Sequence, residues 1–411
     1  VKVHIGLGEA QAIVGEAARA LALGRENSGG VEEIALSEAT GRVLAAEVRA
    51  DRDQPPFDRA AMDGYAVRAA DCTAATAELR VVGEVAAGVS RAEALEAGTA
   101  VAIMTGAPVP AGADAVQMIE RCRDLGGGRV AVGGPVRVGQ HIAPRGEDVR
   151  AGDRVAGRGD RVMGLCAGAL ASVGAARVAV VRRPTVAIVG TGDELVDVDR
   201  EPGPAEIRDS NRYTLAAVVE AAGGRVAHSE RVRDDVAALD AAIARGLGAD
   251  VLVLSGGVSA GRYDLVVDAL RRAGVALAFH KVAMKPGKPV VFGTHAGGLV
   301  MGLPGNPVST FVTATLLLAP ALRILQGVAD AWPWVLSARA TTAIEATTER
   351  DSFHPGALRP GADGRLEVAA LSYNGSGDQV GYARGDCFIF RPAQSAAVEP
   401  GAAVDVWLPR G

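Results

Sequence analysis

The sequence predicts a multidomain fold of α/β plus β units, organised around a doubly wound α/β domain. Three observations carry that expectation. Over residues 184–326, buried β-branched runs alternate with helical stretches, the pattern of a mostly parallel sheet with helices on both faces. Over residues 51–146, short β-type runs are cut by frequent glycines and by Pro108 and Pro110, which points to a small all-β unit. After Trp332-Pro333-Trp334 helical periodicity is lost, and the rest reads as a small barrel or sandwich. A chain of 411 residues also exceeds one core; at roughly 150 residues per domain it implies two to four.

The elements follow in order. Ala10, Ile13, Val14, Ala17 and Leu21 share one helical face, with Gly24 as a stop signal. A strand is expected at 47–50. In the β unit, strands are expected at 79–82, 115–119 and 129–132. Residues 147–181 are rich in Ala, Gly and Val, with a helical stretch at 159–173 expected to pack back on the first helix. The β unit would then be an insertion. The expected domains are a two-segment domain (1–50 and 147–181), an inserted β domain (51–146), the α/β domain (182–328) and a C-terminal β domain (329–411).

Within the α/β domain, strands are expected at 186–189, 226–232, 251–254, 290–292 and 299–302. A helix at 210–222 takes Asp209 or Ser210 as its cap and stops at Gly223-Gly224. Asp234-Asp235 opens a helix to about residue 247, another spans 264–273, and Pro307 begins a long one.

Bulk properties exclude several classes. A net charge of −5 argues against a general nucleic-acid binder. Cys72, Cys122, Cys166 and Cys387 are scattered, as reduced thiols in a cytoplasmic protein would be. The six histidines form no zinc spacing. No targeting segment or membrane span is expected; the apolar stretch at 311–325 is interrupted by Thr313, Thr315, Pro320 and Arg323.

Lysine usage is the sharpest local signal. The chain has four lysines against 39 arginines, and three of the four lie in His280-Lys281-Val282-Ala283-Met284-Lys285-Pro286-Gly287-Lys288-Pro289. Compact ammoniums on a loop stiffened by proline suit a multiply charged oxyanion, such as phosphate or a tetrahedral metal oxyanion. The competing reading is a solvated basic loop.

Ligands of an open parallel sheet bind beyond the carboxyl ends of its strands. Three strands end there in glycine-rich loops. In Gly190-Thr191-Gly192-Asp193-Glu194, the glycines allow close backbone approach and the acids suit a hard cation, or simply a helix start. Ser255-Gly256-Gly257-Val258-Ser259 offers a cradle of amides for phosphate, although it is neither GxGxxG nor a Walker loop. Pro304-Gly305-Asn306-Pro307 places free amides at the start of the long helix. Asp234 and Asp235 are either helix-start acids or, beside Glu194 and Asp264, carboxylates demanding a cation; magnesium suits oxygen ligands without His or Cys. Outside this domain, Gln54-Pro55-Pro56-Phe57-Asp58-Arg59-Ala60-Ala61-Met62-Asp63-Gly64-Tyr65-Ala66 and Met104-Thr105-Gly106-Ala107-Pro108-Val109-Pro110 are stiff, decorated loops.

Taken together, PPFDxxAMDGYA, MTGAPVP, RGED (145–148), TGDEL, RDD, SGGVSxGxxD, KxxxKPGKP and LPGNP resemble the MoeA family, the molybdopterin molybdenumtransferases related to the E domain of gephyrin. The resemblance runs in register over nearly the whole chain. It implies an elongated two-segment domain, an inserted β domain, a molybdopterin-binding α/β domain and a C-terminal β-barrel. It also implies a cytoplasmic homodimer whose cleft joins the α/β domain of one subunit to the inserted domain of the other. Molybdate and adenylylated molybdopterin would be the substrates, magnesium the cofactor and AMP a product.

By family position, Glu194, Asp234 and Asp264 are the magnesium or positioning carboxylates. Lys281, Lys285 and Lys288 neutralise phosphate or oxyanion charge, and Asp58, Asp63 and Thr105 serve the cleft from the inserted domain. Gly192, Asp193, Ser255, Gly256, Gly257, Ser259, Pro304, Gly305, Asn306, Pro307 and Ser376 hold substrate. A molybdopterin adenylyltransferase and apo-molybdoenzymes are the implied partners. The family often has Asn-Ser where this chain has Arg59-Ala60. It also often has an arginine two residues after an aromatic matching Phe353, where this chain has Pro355, leaving His354 or Arg359 as substitutes. Two alternatives stay open: the related adenylyltransferase, and a catalytically silent or scaffolding paralogue.

Overall fold

The computed structural model describes residues 1–26, 29–89, 91–257 and 265–409. Its central feature is a seven-stranded sheet in the order Lys2–Ile5, Ala276–Val282, Val291–His295, Gly298–Leu303, Val251–Ser255, Thr185–Thr191, Arg225–Val232. Thr185–Thr191 pairs in parallel with both of its neighbours, and Val251–Ser255 pairs in parallel with Gly298–Leu303. Val291–His295 runs antiparallel between its neighbours, forming a hairpin with Gly298–Leu303. The central strands are covered on both faces, which is why they read as continuous apolar runs. Val186, Ile188, Val251 and Val253 join one core; Ala187, Val189, Leu252 and Leu254 join the other. The doubly wound α/β domain is therefore present.

Two expectations change here. The first helix, Leu7–Glu26, does not stop at Gly24, because Arg25 docks through an ion pair with Asp250 at 3.0 Å. Its partner also differs from expectation. Ala10, Val14 and Ala18 join the core of the α/β domain, and Lys2–Ile5 extends that sheet by pairing in parallel with Ala276–Val282. The Gly164–Ser172 helix instead lies with Ala39, Leu44, Val178 and Val180. An amphipathic pattern says that a face is buried, not against what.

The two-segment unit is thus carried by residues after the first helix. Val31–Ala35 pairs antiparallel with Arg177–Val181, and Val48–Arg49 with Arg154–Ala156. Between these segments, a six-stranded sheet runs Ala115–Met118, Gly64–Val67, Thr99–Ile103, Thr76–Val85, Arg129–Gly133, Cys122–Gly126.

The C-terminal strands close a five-stranded barrel: Asp351–Pro360, Leu366–Ala370, Trp334–Ala340, Ala403–Leu408 and Cys387–Arg391, the last returning to the first. Its interior is filled by Ala338, Ile344, Val368, Ile389, Val404 and Val406, whereas Phe353 packs with Phe388, Phe390 and Trp407 on the face turned to the α/β domain. Phe388 also meets Phe311 of the Pro307–Leu325 helix edge-on, with centroids 5.7 Å apart, so aromatic packing docks the barrel on the α/β domain. That helix is long and apolar enough to cross a bilayer by length and composition, but 94% of its apolar window is buried inside the protein. A second tie crosses the same seam: Met284–Lys285 adds in parallel to the barrel strand, Met284 opposite Asp351 and Lys285 opposite Ser352.

Candidate active site

At the carboxyl ends of the parallel strands lies a cleft of about 700 Å³, lined by the α/β domain and the barrel. The three glycine-rich loops meet there. Gly192 and Glu194 come from the first, Ser255, Gly256 and Gly257 from the second, and Pro304 through Pro307 from the third. Gly256 N–H donates to the Leu303 carbonyl at 3.2 Å, joining the second loop to the third strand. Gly257 has φ +66°, and a Cβ there would lie 2.7 Å from Val266. Only glycine takes that position without strain.

One end of the cleft is acidic. Asp234 stands at the end of the Arg225–Val232 strand, and its backbone N–H donates to Asp193 Oδ1 at 3.3 Å. Burial, together with the charges of Asp193 and Glu194, pushes the Asp234 carboxyl above the ordinary carboxylate range. The neighbouring Asp235 caps the Val236–Gly246 helix instead, accepting from Ala238 N–H at 2.9 Å. Its structural reading therefore holds, whereas Asp234 faces the cleft.

The other end is basic. Lys285 and Lys288 line it, with Arg350, Tyr373 and Ser376 from the C-terminal domain. Neither lysine forms an ion pair among the described residues, whereas Lys2 is matched by Glu9 at 2.6 Å. Asn306 is the cap residue of the long helix, but its side chain makes no cap bond; it donates instead to Ser376 Oγ at 2.7 Å.

Asn211, which no motif singled out, braces the loops. Its Nδ2 donates to Ser255 Oγ at 2.9 Å and to the Gly305 carbonyl at 2.7 Å. Because a carbonyl only accepts, the second bond fixes the orientation of the amide. Among the described residues, Asn211 Oδ1 and Thr191 Oγ1 are buried without a hydrogen-bond partner. Arg208 and Arg350 also line the cleft and were equally invisible in the sequence, being single residues outside any patterned loop.

Several expected residues lie elsewhere. Lys281 sits within the Ala276–Val282 strand, its backbone N–H bonded to Val290, and is not part of this cleft. Asp193 supports Asp234 without lining the cavity. Ser259 and Asp264 lie outside the described residues. Asp58, Asp63 and Thr105 belong to the inserted domain, away from the cleft lining of the same chain. Asp63 Oδ1 accepts from Thr105 Oγ1 at 2.7 Å and from its N–H at 2.6 Å, which holds the carboxyl below its usual range. Asp58 accepts from Arg145 N–H at 2.8 Å. Phe57, Met62 and Met104 are exposed in the same loops.

Residues 5–174 match the MoeA N-terminal region (domain I and II), residues 187–324 a probable molybdopterin binding domain, and residues 337–408 the MoeA C-terminal region (domain IV). The chain belongs to the MoeA family. It is 38% identical over 330 residues to molybdopterin molybdenumtransferase 2 of Mycobacterium tuberculosis, covering 78% of this chain and 81% of that one. With the molybdopterin molybdenumtransferase of Haemophilus influenzae, identity is 35% over 378 residues, covering 91% and 93%. A crystal structure of the MoeA protein of Pyrococcus horikoshii superposes with a TM-score of 0.82 at 28% identity, covering 98% of this chain and 100% of that one. This MoeA family chain thus keeps all three matched regions in order.

The acidic end suits a hard cation. Glu194 and Asp234 offer oxygen donors only, and a carboxyl raised by burial and like charge is relieved by a positive ion. Among the described residues, no group of three or more His, Cys, Asp or Glu could hold an ion by itself. Magnesium typically takes one or two carboxylates plus substrate phosphates, so the donor set fits it.

Proposed function

We propose that this protein is a molybdenum insertase: it transfers molybdenum from molybdate to adenylylated molybdopterin and releases AMP. The observation that carries this reading is the division of a single cleft into an acidic and a basic end. A substrate with a phosphoanhydride needs a cation near its phosphates, and a tetrahedral dianion needs unpaired positive charge.

Glu194 and Asp234 would hold magnesium, which supplies Lewis-acid polarisation of the phosphoanhydride when bound. The residues themselves position and neutralise. Loop amides around Gly256, Gly257 and Gly305 face phosphate oxygens, and Lys285 and Lys288 balance oxyanion charge. In the reaction the P–O bond of the anhydride breaks and AMP leaves with its phosphate. Oxygen from water or molybdate completes the remaining phosphate; the two dithiolene sulfurs form Mo–S bonds as two Mo–O bonds break, and each displaced oxygen leaves as water with the thiol protons or is the one passed to the phosphate. No side-chain nucleophile is required.

The inserted domain enters through dimerisation. Asp58, Asp63 and Thr105 of one subunit would complete the partner's cleft, and exposed Phe57, Met62 and Met104 beside them supply apolar contact surface. Four free cysteines agree with a reducing cytoplasm. Delivery to apo-molybdoenzymes and receipt from an adenylyltransferase complete the reading.

The test is AMP release from adenylylated molybdopterin with magnesium, with and without molybdate. Molybdate-dependent release, with molybdenum in the pterin product, is expected. Tight binding without release would identify a catalytically silent paralogue instead.

A further inference from the structure

We propose that Leu195, Ile207 and Arg208 form a ledge that holds the adenine base of the substrate, at the end of the cleft away from the lysines. The inference rests on the insertase reading above and deepens it, because it says where the leaving AMP is gripped.

The order of the sheet sets the two ends of the cleft. Lys285 follows Ala276–Val282 and Glu194 follows Thr185–Thr191, and four strand steps separate these strands, about 19 Å at ~4.8 Å a step. Adenylylated molybdopterin is linear in the same sense: dithiolene, two phosphates, ribose, adenine. With the dithiolene reaching an oxyanion at the lysines and the phosphates at a cation near Glu194 and Asp234, the adenosine lies past the acidic end. Leu195, Ile207 and Arg208 line the cleft there.

The ledge is held from both sides. Leu195–Val196 pairs in parallel with Ile207–Arg208, and Ile207 N–H donates to the Glu194 carbonyl at 2.8 Å, so the ledge begins at a cation carboxylate. Its far end is pinned by one arginine: Arg212 pairs with buried Asp209 at 2.6 Å and with Asp197 at 3.1 Å, the residues that follow the two short strands. Ile207 nevertheless leaves 57% of its surface exposed. Arg208 is exposed too. Among the described residues it forms no ion pair, whereas Arg200, Arg212 and Arg231 each pair with a carboxylate on the 197–209 segment. A flat purine stacks on an apolar shelf and against the face of an uncommitted guanidinium. A phosphate would use the guanidinium alone and gain nothing from Ile207.

The experiment measures by calorimetry, with magnesium present, the affinity for AMP and for ribose 5-phosphate, which keeps the phosphate and sugar but lacks the base. It compares the full-length wild type with Arg208→Ala, Arg208→Lys, Arg208→Trp and Ile207→Asn, each checked for folding by a circular dichroism melt. Wild type is expected to bind AMP more tightly than ribose 5-phosphate. Arg208→Ala and Ile207→Asn should weaken AMP binding roughly threefold to thirtyfold, the size of a cation–π contact, and leave ribose 5-phosphate unchanged. Arg208→Trp, which restores a plane without charge, should recover more AMP affinity than Arg208→Lys, which restores charge without a plane. Equal wild-type affinity for the two ligands overturns the ledge while molybdenum transfer stands. So does a folded Arg208→Ala protein that loses affinity for both alike or for neither. Wild type lacking molybdate-dependent AMP release overturns the reading beneath it.

Discussion

Asn306 Nδ2 donates to Ser376 Oγ at 2.7 Å, so the start of the buried helix spends its capping amide on the barrel rather than on itself. The bond spans the cleft seam and couples the third glycine-rich loop to the C-terminal domain. Asn306→Ala and Ser376→Ala are each expected to raise the substrate KM. A double-mutant cycle in urea should show a coupling of about 0.5–1.5 kcal/mol, as for a neutral hydrogen bond. Additive effects would mean that the two residues act separately.

Asp234 gives a prediction with a definite sign. Its carboxyl is raised above the unfolded value by burial and by the charges of Asp193 and Glu194. Its contribution to stability is present below the unfolded pKa and is lost as pH rises through the folded one. At neutral pH the carboxylate therefore costs stability, and Asp234→Asn should melt no lower than wild type while losing molybdenum insertion. A clear drop in melting temperature with activity retained would contradict both halves.

Magnesium affinity should follow the same group. A cation must displace the Asp234 proton, so binding weakens as pH falls, starting above the ordinary aspartate range. Asp193→Asn removes one of the raising charges and should move that loss to lower pH. Calorimetric magnesium titrations from neutral to weakly acidic pH measure the shift.

Asn211 braces two loops with two donor hydrogens. Asn211→Ala leaves the Gly305 carbonyl and Ser255 hydroxyl short of a partner, at a cost of about 1–3 kcal/mol if they stay dry. Denaturant midpoints and turnover should both fall, turnover further, because the loops lose their mutual register.

Gly287 has φ +110°, and a Cβ there would overlap Thr313 Cγ2 of the buried helix. Gly287→Ala is expected to cost about 1–3 kcal/mol and to weaken anion binding by displacing Lys285 and Lys288. Urea unfolding and molybdate KM report the two effects separately.

A shared cleft predicts complementation. Asp63→Ala and Asp234→Ala homodimers should each be inactive, yet mixing and re-associating the subunits should restore activity, since one cleft per mixed dimer is intact. No recovery from a verified mixed dimer would place both residues in one subunit's site.

The sequence was most informative where chemistry repeats. The apolar runs ending at Val189, Leu254 and Gly302 announced strands buried on both faces, and their glycine-rich ends announced the cleft. Asp234 and Asp235 could not be separated by reading, because adjacent acids at a helix start look alike until one caps and the other does not. Lys2–Ile5 was missed as a strand: it is four residues long, and its partner lies at Ala276–Val282. Asn211, Arg208 and Arg350 stayed silent because a single polar residue carries no period. Their roles come from which loops the fold brings beside them.

The ladder between Met284–Lys285 and Asp351–Ser352 makes the barrel more than a wall. Backbone hydrogen bonds tie the lysine loop to the barrel strand, so any rocking of that domain carries Lys285 along like a pointer fixed to a dial. An anion that draws the lysine inward pulls the barrel with it, and a barrel swung outward withdraws charge from the cleft. Movement of the lysine loop on loading is then expected to appear as a change in the distance between labels on the two domains when molybdate is added.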